Sequence, residues 1–163
     1  MAARDWSTLA RPALWIPAAA GFAIDRASKW WIVEAMDLKT RFAIDVWPPF
    51  LRLRMAWNEG ANFGLGAALG RDVWITIALA ISAGLLVWAA TMRETTRLIS
   101  VGLIVGGAIG NALDRYIYGA VADFLNMSCC GIVNPYAFNP ADIFIFAGAA
   151  GLILFDGSGK QRS

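Results

Sequence analysis

Apolar residues fill four long stretches of the chain, which cover residues 13–36, 73–92, 98–113 and 138–155. Residues 73–92 contain no charged side chain, and twenty helical residues are enough to cross a hydrocarbon core of about 30 Å. Charged residues such as Asp25 and Glu34 interrupt residues 13–36, which argues against a cleavable signal peptide and for a retained first helix. The pattern predicts one integral membrane domain over residues 1–163, all-α, built as a bundle of four transmembrane helices.

Residues 37–72 follow a different pattern and are too polar to cross a membrane. From Leu51 to Met55 apolar and charged side chains alternate, which is the period of a strand with one face in water. Residues 47–50, with two prolines between two aromatic residues, indicate a turn at the membrane interface. Residues 37–72 are therefore predicted to form a small extracytoplasmic β-sheet at the membrane surface.

Composition supports the membrane class and excludes several kinds of chemistry. Charged residues make up 16% of the chain, against about 25% in ordinary globular domains. A net charge of +2 without a block of like charges gives no reason to expect nucleic acid as a partner. The absence of His removes Ser-His-Asp catalysis and the commonest zinc ligand, so neither a metal nor a cofactor is expected. The adjacent Cys129 and Cys130 are interpreted as free thiols or a redox-labile spot, with incidental small residues as the simpler reading.

The distribution of Lys and Arg indicates an orientation. A four-span bundle would carry six such residues on each side, but those on the side of the termini are concentrated in short segments beside the helix ends. The positive-inside rule is strongest for such segments. We therefore expect both termini in the cytoplasm and residues 37–72 and 114–136 outside.

Polar residues at the ends of the last two apolar stretches form the candidate site. Asn111, Asp114 and Arg115 are spaced i, i+3 and i+4, so they share one face of a helix, and Asn139 and Asp142 are again three apart. Both faces are expected at the same outer interface, with Asp123 in a short loop between them. Glycines precede the first group at three positions and would let another backbone approach closely: Gly106, Gly107 and Gly110.

Two carboxylates brought together at that interface would have a definite use. Like charges a few ångströms apart do not both ionise easily, so one keeps a proton while the other stays charged. The charged carboxylate can take a proton from water, and the protonated one can polarise a peptide carbonyl. Asp123 and Asp142 are the candidate pair for water-activated peptide hydrolysis.

The same residues could each have a structural role instead of a catalytic one. Asp114 beside Arg115 fits a structural ion pair, and Asp25 with Lys29 fits an internal salt bridge at i, i+4. Asn139 fits a helix N-cap and Asp142 a first-turn carboxylate. The same acidic residues would also fit two other classes of protein, a proton-coupled carrier and a structural membrane subunit. A Ser/Lys peptidase is disfavoured because Ser28 and Lys29 are adjacent, so their side chains diverge on a helix.

Five motifs in order give the chain a resemblance to a known family. They are Asp25-Arg26-Ala27-Ser28-Lys29, the segment from Asn58 to Gly64, the run from Gly106 to Arg115, Val121-Ala122-Asp123-Phe124, and Phe138-Asn139-Pro140-Ala141-Asp142. With this set the chain resembles the lipoprotein signal peptidases, also called signal peptidase II, which are bacterial inner-membrane aspartic peptidases. Ala122 departs from the family's commoner Val, a change expected to alter packing only slightly.

The resemblance implies a role for each matched residue. It implies that Asp123 and Asp142 are catalytic, that Asn58, Gly60, Asn111, Arg115 and Asn139 shape the site or hold substrate, and that Asp114 supports the architecture. The implied substrate is a prolipoprotein whose cysteine carries a diacylglyceryl group, cut on the amino side of that cysteine. Membrane lipid is the other expected partner. The chain is expected to be a monomer in the bacterial inner membrane, with its active site at the periplasmic face.

Overall fold

The computed structural model describes residues 5–60, 66–132 and 134–155. Helix α1 (Pro12–Lys29) continues as a wider π-helix over Trp30–Ala35, and the short helix α2 (Leu38–Arg41) follows. Strands β1 (Ala43–Trp47) and β2 (Leu51–Asn58) come next, then helices α3 (Arg71–Ala89) and α4 (Thr95–Tyr118). Strand β3 (Val121–Met127) and helix α5 (Pro140–Phe155) complete these elements, with short 3-10 helices at Trp6–Ala10 and Ala67–Leu69. Each of the four predicted apolar stretches is helical over most of its length, although α3 ends at Ala89 and α5 begins only at Pro140.

Helix α4 is the central helix and packs against α1, α3 and α5. Its glycines allow the close approach that the sequence predicted. A Cβ added at Gly106 would lie 2.3 Å from the Ala18 carbonyl oxygen of α1, and one at Gly107 would lie 2.6 Å from the Ala141 carbonyl oxygen of α5. Because a backbone atom cannot move aside as a flexible side chain does, only glycine fits at this separation. Both neighbouring helices are thereby held at backbone contact with α4.

Two helices within the described residues, α3 and α4, are long and apolar enough to cross a membrane. Of the 19 residues of α3, Ser82 and Ala89 are the buried ones. Because an apolar helix that is exposed on almost every side is stable only in apolar surroundings, α3 indicates a membrane protein. Helix α5 is shorter, at 16 residues, and α1 carries charges near its end. The predicted number of four spans therefore stays a prediction.

The predicted strand at Leu51 to Met55 is part of β2, and its alternation is confirmed because Leu53 is buried while Arg52 and Arg54 are exposed. Within the part of the chain that the structure describes, the sheet has three antiparallel strands in the order β1-β2-β3. Strands β1 and β2 lie within residues 37–60, and β3 comes from later in the chain. Residues 48–50 form the predicted turn.

The prediction that Asp123 lies in a loop is wrong, because it lies within β3 and pairs with Ala56 of β2. Residues 121–124 are all buried, so the period-two alternation that reveals a half-exposed strand is missing. Helix α4 also runs past its predicted end at residue 113, to Tyr118. Gly119, with φ 83°, ends α4 in the left-handed conformation and turns the chain directly into β3.

Gly106→Ala tests the close contact of α1 and α4. We expect it to lower the free energy of unfolding by about 1–3 kcal/mol, because the new methyl group would overlap the Ala18 carbonyl. Gly84→Ala in α3 is the matched control, since nothing lies within 4 Å of its added Cβ. The control should be neutral or gain up to about 1 kcal/mol from helix propensity. Thermal unfolding in detergent, followed by tryptophan fluorescence, measures both, and equal stability of the two variants would contradict this packing.

Candidate active site

Asp123 is a buried carboxylate held by two amide donors. The Nδ2 of Asn139 donates to its Oδ1 at 2.6 Å, and the Nδ2 of Asn58 donates to its Oδ2 at 3.1 Å. Asn58 is the last residue of β2 and stands opposite Val121, so the strand register brings its side chain to Asp123. The carboxylate is 4% exposed. Each carboxylate oxygen thus accepts a hydrogen bond from a protein amide, in place of the water that burial removes.

Asp142 lies in the first turn of α5 and forms a reciprocal cap with Asn139. Asn139 Oδ1 accepts from the Asp142 backbone N–H at 3.1 Å, and Asp142 Oδ2 accepts from the Asn139 N–H at 3.2 Å. This is the geometry of a capping box, with Asp in place of the usual Glu. The N-cap reading of Asn139 and the first-turn reading of Asp142 are thus both confirmed. They coexist with the approach of both residues to Asp123, because the cap uses Asn139 Oδ1 and leaves its Nδ2 free to donate.

A chain of amides joins the two carboxylates. Asn111 Nδ2 donates to Asp142 Oδ1 at 3.0 Å. Asn111 Oδ1 accepts from Asn139 Nδ2 at 3.2 Å and from Lys29 Nζ at 3.0 Å. Because the lysine ammonium can only donate, it fixes which end of the Asn111 amide faces it. The NH₂ groups of Asn111 and Asn139 are consequently both directed toward the aspartates.

Lys29 also anchors a cluster of buried charges next to the linked amides of Asn111 and Asn139. Its Nζ lies 2.9 Å from Asp25 Oδ2 and 2.6 Å from Asp114 Oδ2, so the predicted Asp25–Lys29 ion pair is confirmed. Asp25 Oδ1 accepts from the Ala141 N–H at 3.2 Å, and Asp114 Oδ2 accepts from the Ala122 N–H at 3.2 Å. These backbone groups adjoin Asp142 and Asp123. The charge cluster therefore fixes the backbone that carries the candidate pair.

Asp114 does not pair with Arg115 in this structure, so that alternative is wrong. The partners of Asp114 are Arg26 and Lys29 of α1. Arg115 is directed instead to the Gly60 carbonyl at 2.5 Å and the Asn111 carbonyl at 3.3 Å. The Gly60 N–H in turn donates to Asn58 Oδ1 at 3.2 Å. Arg115 thus holds the segment that carries Asn58, one of the donors to Asp123.

The ion-pairing role of Arg26 and the contribution of residues 134–137 were not predicted. Arg26 has a sequence signal that could have revealed its role, since it is a second cation in an apolar helix beside a single acid, and it needs a further carboxylate as a partner. Residues 134–137 line the cavities described below. Their sequence shows no chemical pattern that would have identified them.

Both aspartates line one cavity of about 640 Å³. Residues 134, 136, 137 and 138 form one wall, and Ile143, Phe146 and Ala147 of α5 form an apolar wall. Asp123 also borders a second cavity of about 260 Å³, on the side of β2 and Trp57. The site thus combines two carboxylates with an apolar surface that a lipid chain or apolar side chain would fit. The described residues bring no three His, Cys, Asp or Glu side chains into a metal-binding group.

The electrostatic setting separates Asp123 from an ordinary carboxylate. Burial raises its pKa to about 7, and the nearby charge of Asp142 contributes to the increase, while the Asn139 and Asn58 donors oppose it. Near neutral pH the pair can therefore hold one proton and one negative charge. That protonation state is the one required to activate a water molecule and polarise a carbonyl at the same time.

A helical membrane fold with paired carboxylates beside an apolar cavity is suited to a hydrolase that works at the membrane. The family model described as signal peptidase (SPase) II matches residues 17–156. A lipoprotein signal peptidase of Methylobacterium sp. strain 4-46 is 41% identical over 140 residues, covering 84% of each chain. The corresponding protein of Synechocystis sp. strain PCC 6803 is 35% identical over 155 residues, covering 93% of this chain and 91% of its own.

Solved structures show the same fold. One described as a bacterial membrane enzyme superposes with a TM-score of 0.76 at 23% identity over 91% of each chain. A second superposes with a TM-score of 0.72 at 22% identity, covering all of this chain and 99% of its own. The chain belongs to the signal peptidase II family, so it is a membrane peptidase, and the resemblance drawn from its five motifs is confirmed.

Lys29→Met tests the charge cluster. We expect it to lower the free energy of unfolding by about 3–5 kcal/mol, because it leaves two buried carboxylates without their shared ammonium. Lys39→Met is the matched control, since Lys39 pairs with Glu34 in water-exposed surroundings and should leave stability nearly unchanged. Chemical unfolding in mixed micelles measures the difference. Similar losses in the two variants would show that the cluster is not a major source of stability.

Comparing wild type with Asp123→Asn over a pH range tests the raised pKa of Asp123. Below pH 4 the carboxyl is protonated in both folded and unfolded chains, so its ionisation adds no difference. Between pH 4 and about 7 the unfolded chain releases a proton that the folded chain keeps, so ionisation progressively favours unfolding. The stability of wild type relative to the variant should therefore fall over this range and then level off. A difference independent of pH would contradict the raised pKa.

Proposed function

We propose that this chain is an aspartic endopeptidase that removes the signal peptide from diacylglyceryl-modified prolipoproteins, cutting on the amino side of the lipidated cysteine. The observation that carries the proposal is the meeting of Asp123 and Asp142 in one cavity, joined by the amides of Asn139 and Asn111. The relatives are lipoprotein signal peptidases by name, and membership of the signal peptidase II family supports a prolipoprotein as substrate.

In the proposed mechanism the ionised carboxylate of the pair takes a proton from a water molecule, whose oxygen forms a bond to the scissile carbonyl carbon. The protonated carboxyl gives its proton to the carbonyl oxygen, which produces a neutral tetrahedral diol. The C–N bond then breaks, and the leaving amine takes a proton from the carboxyl that had accepted one from water. As the C–N bond breaks, the other carboxylate takes the proton of one diol hydroxyl group, so the released peptide ends in a new carboxyl group and the pair again holds one proton. No covalent enzyme intermediate is formed.

The surrounding residues have positioning roles in this proposal. Asn58 and Asn139 hold Asp123, and Asn111 holds Asp142. Through its bond to the Gly60 carbonyl, Arg115 holds the segment that carries Asn58. Asp25, Lys29 and Asp114 maintain the architecture through their ion pairs.

Lipid on the substrate accounts for the apolar wall of the cavity. Ile143, Phe146 and Ala147 lie on the same cavity surface as the aspartates, on a helix whose Ile143 and Phe146 are about half exposed. A diacylglyceryl group partitions into the bilayer, so a site at the interface receives such a substrate by diffusion in the membrane plane. The acyl chains would lie against α5 while the peptide reaches Asp123 and Asp142.

The proposed setting is the bacterial inner membrane, with four spans, both termini in the cytoplasm and the active site at the periplasmic face. Helix α1 and its π-helical continuation include 24 residues, Pro12–Lys29 and Trp30–Ala35. At about 1.5 Å per residue this length can cross the hydrocarbon core. The charges of α1 are compatible with membrane depth because Arg26 and Lys29 each pair with both Asp25 and Asp114. We propose that the chain acts as a monomer.

The deciding experiment compares cleavage of a diacylglyceryl-modified prolipoprotein by wild type, Asp123→Asn and Asp142→Asn in mixed micelles. Each substitution should lower kcat at least about 100-fold, because each removes one of the two acid–base groups. Asp45→Asn is the matched control, since this carboxylate is exposed on β1 and pairs with Arg52. The control should keep the wild-type rate.

Two results would contradict the proposal. Near-full activity of a folded Asp123→Asn or Asp142→Asn variant would exclude the aspartic mechanism. Equal cleavage of the unlipidated precursor by wild type would exclude the lipid-modified cysteine as the feature that is recognised. Thermal unfolding of each variant, run alongside, separates loss of chemistry from loss of fold.

A further inference from the structure

The pair Cys129–Cys130 lies outside all five family motifs and is not used in the proposed mechanism. It follows β3 in a tight turn closed by the Ile132 N–H, which donates to the Cys129 carbonyl at 2.9 Å. Both cysteines are exposed. Their Sγ atoms are 2.7 Å apart, which is closer to the disulfide bond length of about 2.05 Å than to an ordinary contact between separate sulfur atoms.

The backbone of this turn provides no reason for a cysteine at position 130. Cys130 has φ 58° and Gly131 has φ 80°. Two successive residues with positive φ are typical of a type I′ turn, in which Asn, Asp or Gly is preferred at the first position. A Cys there is conformationally unfavourable. The feature that the turn does provide is a short distance between two accessible thiols.

We propose that Cys129 and Cys130 form a redox-active dithiol, a covalent modification site that closes reversibly to a disulfide between neighbouring residues. Its closure in the cell rests on the orientation in the proposed function, because only the extracytoplasmic side is oxidising. Closure within the pair would also remove both thiols from mixed disulfides with other exposed proteins.

The chemistry is thiol–disulfide exchange with an external disulfide such as glutathione disulfide. The contact with Cys130 raises the pKa of the Cys129 thiol, so the first attack is expected from Cys130. Cys130 Sγ, having lost its proton, bonds to one glutathione sulfur and expels the other glutathione. Cys129 Sγ then loses its proton, bonds to Cys130 Sγ and expels the second glutathione. In total two electrons and two protons pass from the pair to the oxidant, which is reduced to two thiols.

The pair adjoins the candidate active site without contributing to it. Ser128 Oγ accepts from the Asn134 N–H at 3.1 Å, and Asn126 Nδ2 donates to the Asn134 and Tyr136 carbonyls, so the turn connects to the wall of the cavity. The hydrogen-bond donors to Asp123 and Asp142 come from Asn58, Asn111 and Asn139. Oxidation of the pair should therefore leave kcat within about twofold.

The test uses the full chain in detergent, reduced, freed of reductant and then incubated with glutathione disulfide. After alkylation with N-ethylmaleimide, intact mass should show wild type lighter by two hydrogen atoms and without a maleimide or glutathione adduct. Cys129→Ser should stop at a stable glutathione adduct on Cys130. Cys130→Ser should likewise stop at a stable glutathione adduct, on Cys129. Wild type that keeps two alkylatable thiols, retains glutathione or cross-links to a second chain would overturn the proposal.

The mass assay is independent of peptidase activity, so the two proposals fail separately. A chain that closes the disulfide but cleaves no prolipoprotein would support the modification site and contradict the proposed function. Alkylation of intact cells before lysis tests the compartment: the pair should be recovered as a disulfide, and recovery as two free thiols would overturn its closure in the cell. Loss of kcat on oxidation in wild type but not in Cys129→Ser would contradict its separation from the catalytic residues.

Discussion

The buried ammonium of Lys29 is the interaction on which the rest of the site depends. It contacts Asp25 within its own helix, Asp114 of α4 and the side-chain oxygen of Asn111. Charges at this depth are stable only when paired, so this cation both requires and holds its partners. Through Asp25 the cluster reaches the first turn of α5, and through Asp114 it reaches the start of β3. The cluster thereby holds in place the two chain segments that carry Asp123 and Asp142.

The same ammonium gives the amide groups their direction. An asparagine side chain can be turned either way at little cost in shape, but its oxygen and nitrogen have opposite roles in hydrogen bonding. Lys29 selects the orientation in which Asn111 and Asn139 direct their NH₂ groups toward the carboxylates. The amides stabilise the negative charge, whereas burial and the second carboxylate disfavour it. The balance between these effects keeps a proton on the pair near neutral pH, when an exposed aspartate would have lost it.

The sequence could predict the main helices and the residues that meet at the site, because each leaves a local pattern. Four apolar stretches predict helices, the spacing of Asn111, Asp114 and Arg115 predicts a shared face, and Asn139 before Pro140 predicts a helix start. The strand that carries Asp123 could not be predicted from alternation, since residues 121–124 are buried on both faces. The sequence around Asp114 also does not reveal which cation it pairs with. Arg26 is 88 residues away along the chain, and only the packing of α1 on α4 brings the two together.

Residue spacing and the family motifs identified the site residues to different degrees. Spacing and burial identified several acids that a membrane would not tolerate without partners, but left Asp25 and Asp114 as alternatives to Asp123 and Asp142. The structure separates the two sets by their neighbours. Asp25 and Asp114 are neutralised by cations, whereas Asp123 and Asp142 have amide donors and border an open cavity. The pair with amide donors and an open cavity beside it is suited to proton transfer, whereas Asp25 and Asp114 are suited to holding the helices together.

The site works as described only if Asp123 and Asp142 together hold one proton near neutral pH. Infrared spectroscopy of the chain with isotope-labelled aspartate, titrated in detergent, measures this directly through the carbonyl band of a protonated carboxyl group. We expect such a band at pH 6 and its loss as the pH rises through about 7. A wild-type spectrum with only ionised aspartates at pH 6 would contradict it.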